Sequence, residues 1–220
     1  MDVNIADNSG QTALYGVCEY CPCPASSASS SYERAVYEQS IDKREHAVEI
    51  ARYLTESCNA DTDASDRNGK TVLHIACANG QLDLVRFFLE QGVMNSNAKD
   101  SNGCTILHIA SDTGNLDMVQ LLVSQGHIDV KVTDHTGATA LHMAVDKQNL
   151  DIVRLLVDQG GSDANTADVN VADNNGQTPL YRACTCDAGT IAHYLVESCH
   201  ADANASDTNG TTALHMACSP

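Results

Sequence analysis

Hydrophobic side chains recur at helical spacing in short segments of the chain, and polar segments separate them. In residues 82–89 the apolar positions surround Asp83 and Arg86, which is the pattern of an amphipathic helix. Residues 116–123 and 150–157 repeat this pattern almost residue for residue, and a shorter apolar segment such as 73–77 precedes it. The pattern predicts pairs of helices, a short one followed by a longer one.

Six polar segments with one layout separate the helix pairs. Each begins with Asp and continues with Gly, Thr and Leu at fixed offsets, and they start at Asp7, Asp66, Asp100, Asp134, Asp173 and Asp207. Four of the six read Asp-x-Asn-Gly, which predicts a tight turn because Gly adopts positive φ without steric cost and Asn tolerates it. The following threonines can cap the first helix: Thr12, Thr71, Thr105, Thr139, Thr178 and Thr212. Each unit therefore reads as turn, helix, helix.

The spacing of these segments predicts where the repeats begin and where residues are inserted. Successive Asp residues are 59, 34, 34, 39 and 34 residues apart. The first excess falls at 21–45, between the two helices of the first repeat, and the smaller one falls around 161–168 as a longer loop. We expect one domain over 1–220 with repeats at about 7–65, 66–99, 100–133, 134–172, 173–206 and, in part, 207–220.

These units resemble the ankyrin repeat. The resemblance rests on the Thr-x-Leu-His run, the Ala-Cys end of the first helix, the Gly80–Val85 segment and Asp168-Val-Asn170. Three features depart from the family pattern: only Pro179 supplies the usual Pro after Thr, Tyr15 and Tyr181 replace the signature His, and the period is 34. The resemblance implies an all-α solenoid of stacked helix-turn-helix units with β-hairpin finger loops.

The resemblance also implies which residues contact a partner, because ankyrin proteins bind through their finger tips and the inner face of the first helix. The corresponding finger residues are Asn8, Ser9, Gln11, Arg67, Asn68, Lys70, Ser101, Asn102, His135, Thr136, Asn174, Asn175 and Gln177. The ends of the first helices add Glu19, Asn79, Asp112, Thr113, Asp146, Lys147 and Thr185. Of these, Arg67, Lys70 and Lys147 place local positive charge on an acidic protein.

Composition and charge narrow the class of partner. The formal net charge is -17, so general binding to nucleic acid or to an anionic membrane surface is disfavoured. No apolar run approaches the ~20 residues of a membrane span, and the chain begins without a visible signal peptide. We expect a location inside the cell, in the cytoplasm with the nucleus left open, and a protein partner with a basic segment.

The cysteines and histidines are better explained by the repeat than by chemistry. Cys18, Cys77, Cys184 and Cys218 share one position at the end of the first helix, and Cys58 and Cys199 take the helix-ending position held elsewhere by Gly92, Gly126 and Gly160. Cys18-x-x-Cys21-x-Cys23 leaves a zinc site as a minor alternative. The recurring His74, His108, His142 and His215 are expected to stack the repeats, as they do in the family. We predict no metal, no cofactor and no catalytic residue.

The sequence therefore predicts a non-enzymatic module that binds a protein partner. One alternative makes the array a regulatory or targeting arm of a larger signalling, channel or enzyme protein. Another makes the 21–45 insertion a thiol- or phosphorylation-sensitive element. Both ends are interrupted within a repeat, which suggests part of a longer array.

Overall fold

The computed structural model describes residues 2–19, 46–92, 94–125, 128–158 and 168–218. The predicted 21–45 insertion lies outside these residues, and so does the longer loop at 161–168 except for Asp168. Within the described part the fold is helical and has no strand; only single bridging pairs close some of the fingers, at Ser65–Thr71, Thr133–Thr139 and Ser206–Thr212. Two compact units divide the chain, Met1–Ser101 (unit 1) and Asn102–Pro220 (unit 2).

Unit 1 contains two helix pairs. Helix α1 covers Ala13–Glu19, and α2 is described from 46 to 52, where it continues as a π-helix over Tyr53–Ser57. Helix α3 covers Val72–Ala78 and α4 covers Leu82–Glu90. The first helices α1 and α3 pack side by side, and α4 packs on α3.

Unit 2 contains three helix pairs and one further first helix. The first helices are α5 (Ile106–Asp112), α7 (Ala140–Asp146), α9 (Pro179–Thr185) and α11 (Ala213–Ala217). The second helices are α6 (Leu116–Ser124), α8 (Leu150–Asp158) and α10 (Gly189–Glu197). Helices α5, α7, α9 and α11 pack in that order, and α6, α8 and α10 form the adjoining layer. The predicted pairing of a short helix with a longer one is therefore confirmed.

The first helices begin where the threonines predicted. Thr71, Thr105, Thr139, Thr178 and Thr212 are the extended residues that immediately precede α3, α5, α7, α9 and α11. The turn glycine before each Thr has a positive φ, for example 81° at Gly137. An ideal β-carbon there would lie 2.7 Å from the backbone N of Asn174 in the next finger, so this glycine allows both the turn and the close approach of two fingers.

The core of each unit is a set of small, similar clusters. The Leu of each Thr-x-Leu motif is at most 3% exposed in five repeats: Leu14, Leu73, Leu107, Leu141 and Leu180. Its counterpart in α11, Leu214, is 67% exposed because no second helix among the described residues covers it. Burial of these leucines therefore depends on the neighbouring helices rather than on the first helix alone.

The ends of the second helices differ in part from the prediction. Gly92 ends α4 with φ 64°, as predicted, while Gly126 and Gly160 lie outside the described residues. Cys58, however, has φ -108°, and the left-handed residues are the next ones along the chain, Asn59 (φ 54°) and His200 (φ 55°). A β-carbon makes the left-handed region costly for Cys, so the reversal moves to a residue more tolerant of it.

Candidate functional site

The predicted partner-contacting residues lie on the surface in both units. Every one of them is exposed or half-buried, and Arg67, Ser101, Asn102, His135 and Thr136 are among the exposed ones. Some use part of their hydrogen-bonding capacity within the protein: the Asn79 amide donates to the Cys18 carbonyl at 2.9 Å, and the Asn174 amide donates to the His135 carbonyl at 2.9 Å. Whether these residues contact a partner stays a prediction.

In five fingers the leading aspartate fixes the turn by accepting backbone N–H groups: Asp7, Asp66, Asp134, Asp173 and Asp207. In unit 2, Oδ1 of Asp134 accepts the backbone N–H groups of Thr136 and Ala138 at 2.8 and 2.9 Å. Asp66 in unit 1 does the same for Asn68 and Lys70, both at 2.8 Å. Burial acts to raise the pKa of Asp66, but these hydrogen bonds and the one from Tyr15 hold that pKa below its usual value. Asp66 therefore stays ionised, and the hydrogen bonds of both aspartates keep the finger tips in one conformation.

Neighbouring fingers are joined through their backbones. In unit 2 the N–H of His135 donates to the Asn102 carbonyl at 2.9 Å, and the N–H of Asn174 donates to the Thr136 carbonyl at 2.9 Å. In unit 1 the N–H of Ser101 donates to the Asn68 carbonyl at 2.8 Å. The structure thus brings the predicted tip residues into rows within each unit.

An ion-pair network at the first helices of unit 2 was not predicted. The Arg182 guanidinium donates to Asp146 at 2.6 Å and to Asp173 at 2.7 Å, and the Lys147 ammonium lies 3.2 Å from Asp112. The charge of Lys147 is therefore largely compensated within the protein. The only sequence signal for Arg182 is that it stands where the other repeats carry Ile, Met or Gly.

Two of the recurring histidines, His108 and His142, join repeats as predicted. Nδ1 of His142 accepts the backbone N–H of Thr139 at 3.1 Å, so Nε2 carries the proton and donates to the Gln177 carbonyl at 3.2 Å. His108 makes the same bond to the Ala138 carbonyl at 3.1 Å. Burial, reinforced by the charge of Arg182, lowers the pKa of His142 to about 4. This imidazole is neutral and fully used in stacking.

Two tyrosines replace the histidine with a different bond. The hydroxyl of Tyr15 donates to Asp66 at 2.9 Å, and that of Tyr181 donates to Asp207 at 3.1 Å. The tyrosine side chain is longer than that of histidine. Its hydroxyl therefore bonds the aspartate at the start of the next finger, whereas the histidine imidazole bonds a backbone carbonyl near the end of that finger. The replacement therefore preserves the link between repeats.

The described cysteines are buried or half-buried, except for the exposed Cys218. Cys18 and Cys77 are buried at the ends of α1 and α3, and burial raises the pKa of the Cys77 thiol. Burial also raises the pKa of the Cys184 and Cys186 thiols. Cys21 and Cys23 of the zinc alternative lie outside the described residues. In the part of the chain that the structure describes, no three His, Cys, Asp or Glu side chains form a group able to hold a metal ion.

None of the helices described here is both long and apolar enough to cross a bilayer.

Comparison with known proteins identifies the repeats. Residues 40–134 and 125–207 match the family described as ankyrin repeats (3 copies). A crystal structure of the ankyrin repeat domain of Bcl-3, described as a unique member of the IkappaB protein family, matches with a TM-score of 0.75 and 26% sequence identity. That match covers 99% of this chain and 82% of the other. No curated protein matches the chain. The predicted all-α ankyrin-repeat fold is thereby confirmed.

Proposed function

The chain belongs to the ankyrin-repeat family, and we propose that it is a non-enzymatic module that binds a protein partner through its fingers and first helices. Ankyrin repeats are generally protein–protein interaction modules. The observation that carries the proposal is the set of exposed finger tips in each unit, where leading aspartates such as Asp134 fix the turns and neighbouring fingers are bonded through their backbones. A finger backbone held in place before binding loses little conformational entropy when a partner docks.

The partner that this surface favours is a protein with a basic segment. The net charge of -17 attracts such a segment and repels nucleic acid. A location in the cytoplasm remains part of this proposal. The electrostatic part of the proposal predicts that affinity for a true partner falls as the salt concentration rises from low to physiological values.

Site-specific photo-cross-linking tests which surface binds. A photo-reactive amino acid is placed at Thr136 or Asn175 on the finger tips of unit 2, and at Gln120 or Asp151 on its second helices as matched exposed controls. The tagged full chain is irradiated in cell extract, and adducts are identified by mass spectrometry. We expect the same partner to be captured from both finger positions and from neither control position.

The controls decide the interpretation. Adducts of one partner formed equally from Gln120 and Asp151 would assign binding to the second helices and contradict the proposed surface. Wild-type thermal unfolding of each labelled chain shows that the label has left the fold intact.

A further inference from the structure

Unit 2 carries a row of half-buried apolar side chains on its first helices. The position directly after the stacking His or Tyr is Ile109 in α5, Met143 in α7 and Met216 in α11, and all three are half-buried. Because α5, α7, α9 and α11 pack in order, these side chains line up along one surface, interrupted only by Arg182 in α9. Each presents part of its apolar area to solvent.

Acidic side chains run beside this apolar row. Asp112 and Asp146 stand three residues after Ile109 and Met143, which places each pair on one face of its helix. Both carboxylates are about half exposed. The surface is therefore apolar along one line and acidic along the next.

The cations at this surface offset only part of its negative charge. Lys147 pairs with Asp112, while Arg182 is shared between Asp146 and Asp173. Because one cation faces two acids, Arg182, Asp146 and Asp173 together keep a net negative charge. The described residues of unit 2 contain thirteen Asp and Glu against four Lys and Arg. A segment that docks here gains from positive charge as well as from apolar side chains.

We propose that the first-helix face of unit 2, defined by Ile109, Asp112, Met143 and Asp146, binds an extended cationic segment with an apolar residue at every third position. This inference rests on the proposed function and names the chemistry of its partner. Packed helices are about 8–10 Å apart, and a segment in the extended polyproline II conformation rises about 3.1 Å per residue with about three residues per turn. Its side chains three apart therefore lie on one face and match neighbouring apolar side chains of the row. Lysine or arginine at the intervening positions reaches the acidic line.

Three synthetic peptides test this chemistry on the whole 220-residue chain. The first repeats Leu-Lys-Lys four times, the second replaces Lys with Glu, and the third replaces Leu with Ser. Fluorescence anisotropy at physiological salt measures their affinities. We expect the Leu-Lys-Lys peptide to bind at least roughly tenfold more tightly than either of the others. Equal binding of the Ser-Lys-Lys peptide would mean that net charge alone attracts polycations, and would overturn the inference.

Two substitutions and a mapping experiment locate the site. Ile75 in unit 1 occupies the position of Met143 but is followed by Ala78 rather than by an acid, so it is the matched control. We expect Met143→Ser to weaken binding roughly fivefold or more and Ile75→Ser to change it less than twofold. Amide chemical shifts of the wild-type chain provide a readout that needs no variant: perturbation should centre on 109–113 and 143–147. Perturbation centred on 75–79 would refute the assignment.

The inference and the proposed function fail separately. Finger-tip cross-links to a partner whose bound segment is acidic would support the proposed interaction module. The same result would refute the inference that the bound segment is cationic.

Discussion

The Arg182 network offers a quantitative test of how unit 2 is held together. Replacing Arg182 with Met keeps an apolar stem of similar length, and Met already stands at this position in α7 and α11. The substitution removes the donor to Asp173, whose side chain is 1% exposed, and the donor to Asp146, which is 42% exposed. Asp173 retains only its backbone donors, at 2.8 Å from Asn175 and 2.9 Å from Gln177.

The ion pairs that Arg182 makes with the two acids should contribute very differently to the free energy of unfolding. Removing one member of a buried ion pair costs about 3–5 kcal/mol because a buried charge is left uncompensated. The backbone donors to Asp173 persist, so we expect Arg182→Met to lower the free energy of unfolding by about 3 kcal/mol. Asp146→Asn breaks only the more exposed pair and should cost about 1 kcal/mol or less.

The pH dependence of unfolding tests whether the ionised carboxylate of Asp173 is the group that Arg182 stabilises. Burial acts to raise the pKa of Asp173, but the hydrogen bond from Arg182 and the backbone donors hold it below the usual 3.8. A carboxyl with a lowered folded pKa stabilises the fold above its unfolded pKa, and this contribution is lost as the pH falls through the folded value. Without Arg182 the pKa of Asp173 rises. The difference between wild type and variant should therefore be full above the raised pKa of Asp173 in the variant and shrink as the pH falls below that value.

Urea unfolding followed by far-ultraviolet circular dichroism, at neutral pH and at several acidic values, measures both quantities. The Asp146→Asn chain serves as the control for the exposed arm of the network. A cost below about 0.5 kcal/mol for Arg182→Met at neutral pH, or a cost that does not shrink in acid, would refute the argument.

Three further predictions use the same unfolding assay. Tyr181→Phe should destabilise the fold by about 1.5 kcal/mol, because Asp207 loses a hydroxyl donor; an unchanged midpoint would show that the hydroxyl bond contributes nothing. Because the pKa of His142 falls from 6.5 to about 4 on folding, its contribution to stability should be complete above about pH 6.5 and decline as the pH falls toward 4, and a His142→Gln chain should lack that decline. Gly137→Ala should lower the free energy of unfolding by at least about 2 kcal/mol, since backbone strain at φ 81° adds to the clash with the next finger. Gly210→Ala, at φ 79° in open space, should lower it by only about 1 kcal/mol. Equal losses would mean that the close approach of the fingers is unimportant.

Local chemistry explains why so much of the fold could be predicted. Turn glycines, capping threonines and the 34-residue recurrence each specify a conformation over a few residues, and the six copies reinforce one another. The helix ends at Cys58 and Cys199 were less accurate, because alignment to Gly92 assumes that the reversal stays in place when the side chain changes. The left-handed conformation moved to Asn59 and His200 instead.

The candidate site was predictable only in outline. Finger offsets correctly placed residues such as Asn102 and Thr136 on the surface. They did not indicate that Lys147 pairs with Asp112, nor that Arg182 joins two acids, one of them nine residues before it and the other 36. Such pairs depend on which helix ends meet when repeats stack, and the spacing along the chain does not encode that geometry.

By itself, the sequence determined the repeat, the helix pairs, their caps and the acidic character of the protein, because each follows from contacts within a few residues or from composition. Only the tertiary structure decided which charges are compensated and which apolar side chains remain accessible. In the sequence alone, Arg182 looks like an ordinary surface cation; the packing of α7 against α9 places it between Asp146 and Asp173. Likewise, the helical pattern alone does not distinguish Ile109 and Met143 from core residues, whereas the structure leaves both half-buried. The physical reason is that pairing and burial are properties of the space between repeats.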